Sequence, residues 1–259
     1  MVQAKDTLRQ VVTAISVPLG IALNFIPMNG VTVRDSVGDN PDIALNAAGY
    51  AFAIWGLIFG WQLAYAVYQA LPSQRERPVL RRVGWWAALN AVAIGLWAVA
   101  VVNDQRVLSW GLILVMLAAL VVIEARIGAR PGAVRGADYW LVRVPYRINL
   151  GWVSVATILS TGTFLRDVVG WNGGLLGEET WAVLGVVAAA ALGLTMLTLR
   201  RNFAYAAVIV WALVAVAVGS ADVRPVWRSA AAMAVLVTLG VVFAAASRRH
   251  RLWLQREAG

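Results

Sequence analysis

The 259-residue chain has no cysteine, a single histidine (His250) and only 13 acidic residues, and charged residues make up just 14% of it. Without cysteine there are no disulfides, thiolate metal sites, CxxCH haem attachments or Cys–His nucleophiles. One histidine cannot hold a haem between two imidazoles. No GxSxG, P-loop or HExxH sequence occurs, and no acids cluster inside an apolar run. A proton-coupled pump places acids near the bilayer centre, so this class is disfavoured too. Soluble domains are about 25% charged and about 45–50% apolar. Here 61% of residues are apolar and the mean hydropathy is +0.72, which excludes a soluble globular protein.

Long apolar runs stand in place of these groups. Eight are read: Leu8–Ile26, Ala48–Ala70, Val83–Val102, Val107–Glu124, Pro145–Leu165, Trp181–Leu199, Ala204–Ser220 and Ala230–Ala246. Their length suits helices crossing about 30 Å of hydrocarbon, not barrel strands of about 9–11 residues. The expected fold is an all-α membrane protein, an eight-helix transmembrane bundle. The first run is the least apolar, with Pro18 and Asn24 inside it and Lys5 and Arg9 at its start. A basic start is also the mark of a signal peptide, but no small-x-small cleavage site follows clearly.

Arginines are concentrated on alternate loops. Lys5 and Arg9, Arg75 to Arg82, Arg126 to Arg143, Arg200 and Arg201, and the tail from Arg248 fall on one side. Only Arg34, Arg106, Arg166, Arg224 and Arg228 fall on the other. By the positive-inside rule, both termini are expected in the cytoplasm of a multi-pass cell-membrane protein. The net charge of +9 is thereby assigned to membrane lipids, whose anionic headgroups attract juxtamembrane arginines, and not to nucleic acid. Trp253 in the basic stub Ser247–Gly259 is expected to anchor at the interface, and Asp104, Arg106, Asp167 and Asp222 to be interfacial loop charges.

The first five runs are rich in aromatics with isolated polar residues, and the last three are mostly Ala, Val and Leu. The Gly-rich loop Asp167–Thr180 separates them. Two parts are expected: residues 1–170, a five-helix ligand-binding unit, and residues 171–259, a three-helix extension with a basic tail.

In the second run, Phe52, Trp55, Phe59 and Gln62 recur at i, i+3, i+7 and i+10, one face of a helix. Flat rings beside one amide suit an apolar ring ligand. They equally suit helix packing or interfacial anchoring. Gly56 and Gly60 form a GxxxG, which permits close helix approach inside the chain or in a homodimer. In the fifth run, Tyr146, Asn149, Trp152, Ala156 and Ser160 lie along one face, and in the third Asn90 is followed two turns later by Trp97. Buried amides need a partner, either a helix or a ligand. Arg147 and Glu124 either pair or snorkel.

Two stretches carry a resemblance. Tyr50-Ala-Phe-Ala-Ile-Trp55 and Pro145-Tyr146 followed by Trp152-Val-Ser-Val-Ala-Thr157 resemble the TspO/MBR family, the tryptophan-rich sensory proteins related to the mitochondrial translocator protein. The resemblance covers roughly residues 10–170. It implies a five-helix membrane bundle, often dimeric, whose pocket binds porphyrins and other hydrophobic small molecules under a long first loop, here Pro27–Ala47 with Gly30, Gly38 and Pro41 as turns. Carried over by position, Trp55 and Trp152 are the pocket tryptophans of the second and fifth helices, and Asn90 is the third-helix asparagine. There are departures. Tyr50 stands where the family often has Trp, Ala93 where a third-helix tryptophan is expected, and Ser160 where Asn is frequent. Trp152 follows Pro145 by seven residues instead of four. Three helices follow the shared unit, as in a lengthened branch.

The function expected is a TspO-like sensor or binding protein for a planar hydrophobic ligand. A porphyrin or related tetrapyrrole is the implied bound group, and no cofactor is required. Tyr50, Phe52, Trp55, Phe59, Trp97, Tyr146 and Trp152 would surround the ligand, and Gln62, Asn90 and Asn149 would orient it. The alternative is a membrane carrier for a small organic molecule or lipid, although the asymmetry of the two parts speaks against inverted repeats. An enzyme acting on a polyisoprenoid or porphyrin is the least supported class, since catalytic acids, histidine and cysteine are lacking.

Overall fold

A computed structural model describes residues 2–28, 30–37, 44–128, 136–171 and 173–257, with side chains from Ala4 to Ser247. Gly38, Asp39, Pro41, Asp42, Arg130 and Arg135, and the side chains of His250 and Trp253, lie outside the described residues. No strand occurs among those described. The helices are α1 (Val2–Ala22), α2 (Val33–Ser36), α3 (Ile54–Ala70), α4 (Pro78–Val102), α5 (Arg106–Gly128), α6 (Val144–Asp167), α7 (Gly177–Arg200), α8 (Phe203–Gly219) and α9 (Arg224–Glu257). A 3-10 turn over Gly49–Ala53 leads into α3, and a π-helical turn over Tyr139–Arg143 leads into α6.

Each of the eight apolar runs lies on one long helix. Six of these are long and apolar enough to cross a membrane: Gly49–Ala70, Pro78–Val102, Arg106–Gly128, Tyr139–Asp167, Gly174–Arg200 and Arg224–Ser247. The protein is an all-α, multi-pass membrane bundle. Helix α8 is apolar but only 17 residues long. Helix α1 is not among the six, because Lys5, Asp6 and Arg9 crowd its first turns, and its polar residues are turned inward. Asp6, Arg9, Gln10, Thr13 and Ser16 are buried, while Leu8, Val11, Ile15 and Leu19 are exposed. Its polar stripe faces protein and its apolar stripe faces outward, the arrangement polar groups adopt inside a membrane protein. Helix α9 runs well past Ala246, so the basic tail to Glu257 is helical.

By their contacts, the residues group into two compact units, 1–40 with 52–171 and 41–51 with 172–259. In the first unit the long helices form a closed circuit. Helix α1 lies between α3 and α4, α5 between α4 and α6, and α6 meets α3. The tightest crossing is α1 on α4. A Cβ on Gly20 would sit 2.1 Å from the Ala91 carbonyl oxygen, and one on Gly95 would sit 2.8 Å from Gly20 Cα. Only glycine permits that approach. Gly56 and Gly60 have no close neighbour within the chain: a Cβ on either meets nothing within 4 Å.

In the second unit α7, α8 and α9 pack pairwise around small side chains, among them Ala182, Ala189, Ala190, Ala206, Ala212, Ala230 and Ala234. The segment Ala44–Ala51 belongs here. The Ala48 amide donates to the Ala215 carbonyl (3.0 Å), the Asn46 amide donates to Ser220 Oγ (3.0 Å), and Ser220 Oγ donates to the Asn46 carbonyl (3.1 Å).

Candidate functional site

The interior of the first unit holds an aromatic cluster centred on Trp55. Residues Phe52, Trp55, Phe59 and Gln62 form one stripe from the 3-10 turn down α3. The Trp55 ring lies nearly parallel to Phe59 (centroids 5.1 Å, 30°) and to Trp97 of α4 (6.0 Å, 29°), and edge-on to Trp152 of α6 (6.4 Å, 86°). Phe52 meets Trp152 edge-on at 5.7 Å. Trp97, Phe59 and Trp152 are buried, Trp152 at 2% exposure, while Trp55 and Phe52 are half-buried. Offset and edge-on contacts at these distances are the favourable ones for aromatic quadrupoles.

An amide cluster adjoins the rings. Asn149 Nδ2 donates to Asn90 Oδ1 at 3.0 Å, and Gln62 Nε2 donates weakly to the same oxygen at 3.5 Å. Three helices are thus joined through one carbonyl oxygen. The cluster is incompletely satisfied: Gln62 Oε1, Asn90 Nδ2, Asn149 Oδ1 and the Trp152 indole nitrogen are buried with no hydrogen-bond partner. A buried polar atom left unpaired costs about 1–3 kcal/mol, and such atoms in a native protein call for an explanation. Two acceptors and two donors therefore stand beside an aromatic wall.

Nine of the ten residues singled out from sequence belong to this unit. Tyr146 is buried one turn before Asn149 and packs edge-on against Tyr65 (5.1 Å). Tyr50 stands apart. It is exposed, its ring meets Trp211 edge-on at 5.3 Å, and both residues belong to the second unit. Tyr50 precedes Phe52 by two residues, and that spacing does not share a helical face.

Three residues at the site were missed. Tyr65 and Gln69 continue the α3 stripe by one and two turns beyond Gln62, and both are buried, so the same periodicity carried further would have found them. Phe25, in the turn just past α1, meets Phe59 edge-on at 6.0 Å. Nothing in the local sequence marks it. In the first loop, Thr32 and Asp35 form a capping box on α2. The Thr32 hydroxyl and backbone bonds hold the Asp35 carboxyl below the usual carboxylate range.

Buried charges tie the helices together at the end of the bundle where α1 and α4 begin. Arg147 donates from Nε to Glu124 Oε2 (2.9 Å) and from Nη2 to Oε1 (2.6 Å), a buried bidentate pair, so this arginine pairs and does not snorkel. Arg9 is fully buried, donating to the carbonyls of Leu80 (3.2 Å) and Arg75 (2.8 Å). A Cβ on Gly84 would lie 2.7 Å from Arg9 Cδ, so this glycine leaves room for the guanidinium stem. Gln10 and Gln69 exchange bonds, each donating to the other's main-chain carbonyl (2.7 and 3.0 Å). Arg81 forks onto Asp6, and its hydrogen bonds hold that carboxyl below its usual range. Arg77 and Tyr68 both donate to the buried Asp138. At the opposite end, Arg106 bridges Asp104 (2.9 Å) and Asp167 (2.7 Å), exposed charges as expected of loops.

The described residues contain no group of three or more metal-ligating side chains. A family model for TSPO-like protein matches residues 7–244. The chain belongs to the TSPO-like family. The match continues through α7, α8 and most of α9, so in this TSPO-like protein the three C-terminal helices fall within the family's own span instead of following it. No curated protein and no solved structure matches the chain.

Proposed function

We propose that this TSPO-like protein binds a planar hydrophobic small molecule, a porphyrin or related tetrapyrrole, in the first unit, within the cell membrane and with both termini in the cytoplasm. One observation carries the reading: the Trp55–Trp97–Trp152 cluster adjoins three amides and an indole N–H that the protein leaves partly unpaired. Rings on one side supply area for stacking, and the amides supply orientation. A tetrapyrrole presents both pyrrole N–H donors and imine acceptors, matching the mixed set of free atoms. Family membership supports the same reading. The half-buried Trp55 is the ring placed to meet a ligand first, with Phe25 of the turn after α1 beside its neighbour Phe59.

The test is quenching of tryptophan fluorescence by protoporphyrin in detergent. Trp55→Ala and Trp152→Ala are each expected to weaken binding at least tenfold, while Trp211→Ala, in the second unit, leaves it unchanged. Unchanged affinity in both Trp55 and Trp152 variants overturns the assignment. Flux of the same ligand into proteoliposomes separates a carrier from a binder.

A further inference from the structure

Helices α4 and α5 meet at the end of the bundle where α4 begins and α5 ends, and two arginines cross there. Arg82 Nη1 donates to the Arg126 main-chain carbonyl (3.1 Å), and Arg126 Nη1 donates to the Arg82 carbonyl (2.8 Å). Arg82 also holds the Pro78 carbonyl through Nε (3.2 Å). The first of these bonds has a local cause. Arg126 lies in the last turn of α5, where carbonyls have no helical partner. The result is nonetheless a pair of like charges brought side by side. Among the described residues no carboxylate lies within 4.0 Å of either guanidinium, whereas Arg77, Arg81 and Arg147 each pair with one. Arg82 Nη2 and Arg126 Nε and Nη2 have no hydrogen-bond acceptor among the described residues.

The surroundings are those of a membrane–water boundary. The Arg126 guanidinium lies over the Trp86 ring at 5.3 Å, a cation–π contact that fixes its plane. Trp85 beside it is 47% exposed. Both helices are long and apolar enough to span a bilayer; Arg126 lies in the last turn of α5, and Arg82, Trp85 and Trp86 lie in the second and third turns of α4. Tryptophans at such a level sit among lipid headgroups. Arginine forks match phosphate oxygens better than a point charge does.

We propose that Arg82 and Arg126 form a binding site for the phosphate of an anionic membrane lipid, with Trp86 orienting one guanidinium and Trp85 flanking the acyl-chain side. The bound phosphate accepts from the free Nη2 of Arg82 and from Nε or Nη2 of Arg126, and it relieves the repulsion between the two charges. The site lies on the outer surface of the α4–α5 pair and is independent of the ligand reading above.

Native mass spectrometry of the full chain released from nanodiscs of equal parts phosphatidylglycerol and phosphatidylcholine tests this. The wild type is expected to retain phosphatidylglycerol in preference. Arg82→Gln with Arg126→Gln is expected to cut that preference roughly tenfold, following the known attraction of each arginine for an anionic leaflet. Arg82→Lys with Arg126→Lys keeps the charge, loses the forks and falls between. Arg200→Gln with Arg201→Gln removes two charges from another arginine pair and changes nothing. The proposal is overturned if the wild type shows no preference, if the Arg200/Arg201 variant loses as much, or if excess inorganic phosphate displaces the lipid and binds without it. Should the glutamine variant not fold, a photoactivatable phosphatidylglycerol on the wild type decides. Labelling of peptides around Trp86 and Arg126 supports the site, and labelling confined elsewhere removes it.

Discussion

The two units bury opposite kinds of surface. The first encloses indoles, five amides and paired charges, whereas the second encloses mainly alanine, valine and leucine around close helix contacts. In lipid no hydrophobic drive separates apolar side chains from their surroundings, so helices associate through close packing and interhelical hydrogen bonds. The second unit relies mainly on close packing. The first adds polar links, and each buried polar atom in it must then find a partner. Its unpaired atoms at Gln62, Asn90, Asn149 and Trp152 are therefore where a ligand has most to contribute.

That contrast can be broken at several points. The largest effect is expected at the buried ion pair. Removing one member of such a pair costs about 3–5 kcal/mol because the other charge is left unpaired. Arg147→Gln or Glu124→Gln should therefore greatly reduce folded protein, read as the yield and melting temperature in detergent. The exchange Glu124→Arg with Arg147→Glu should restore much of it, and failure to do so would show that the pair itself is not what matters.

Next comes helix packing. Gly20→Ala places a methyl against the Ala91 backbone, which cannot move aside as a side chain tip can. Overpacking of this kind costs about 1–3 kcal/mol or more. Gly193→Ala in the second unit meets only the Ile209 side chain at 3.1 Å and is expected to cost less. Gly56→Ala, in open space, should leave the melting temperature of the monomer unaltered. A Gly193 variant less stable than the Gly20 variant would reverse the order drawn here.

A smaller effect concerns acid. Asp6 has its carboxyl pKa lowered by the Arg81 hydrogen bonds. A depressed folded-state pKa contributes stability above the ordinary value of 3.8, and that contribution disappears as pH falls through the folded value. Wild type should thus melt higher than Asp6→Asn at neutral pH, and the gap should close below about pH 4. A gap that persists in acid would mean that the carboxylate charge contributes nothing.

Much of the architecture was legible because membrane helices are local objects. Runs of about 20 apolar residues must be helical whatever surrounds them, and all eight reappear as helices. The α3 stripe from Phe52 to Gln62 was readable for the same reason, since i, i+3 and i+7 neighbours share a face in any helix. Tyr50 was no part of that stripe: it was singled out by its motif alone, and it lies with the second unit beside Trp211. Gly56 and Gly60 meet no neighbouring helix of the same chain, while Gly20 and Gly95, distant from each other in sequence, form the α1–α4 crossing.

Composition and periodicity by themselves determined that this chain is a bundle of membrane helices with its aromatic and polar residues concentrated toward one end of the sequence. Those properties follow from backbone hydrogen bonding and from side chains within a few turns of each other. Only the tertiary structure decided that α1 turns its polar residues inward, that Glu124 meets Arg147, and that Trp55, Trp97 and Trp152 share one interior with Asn90. Each of those depends on which face of one helix meets which face of another, a choice made by long-range packing that no single segment contains.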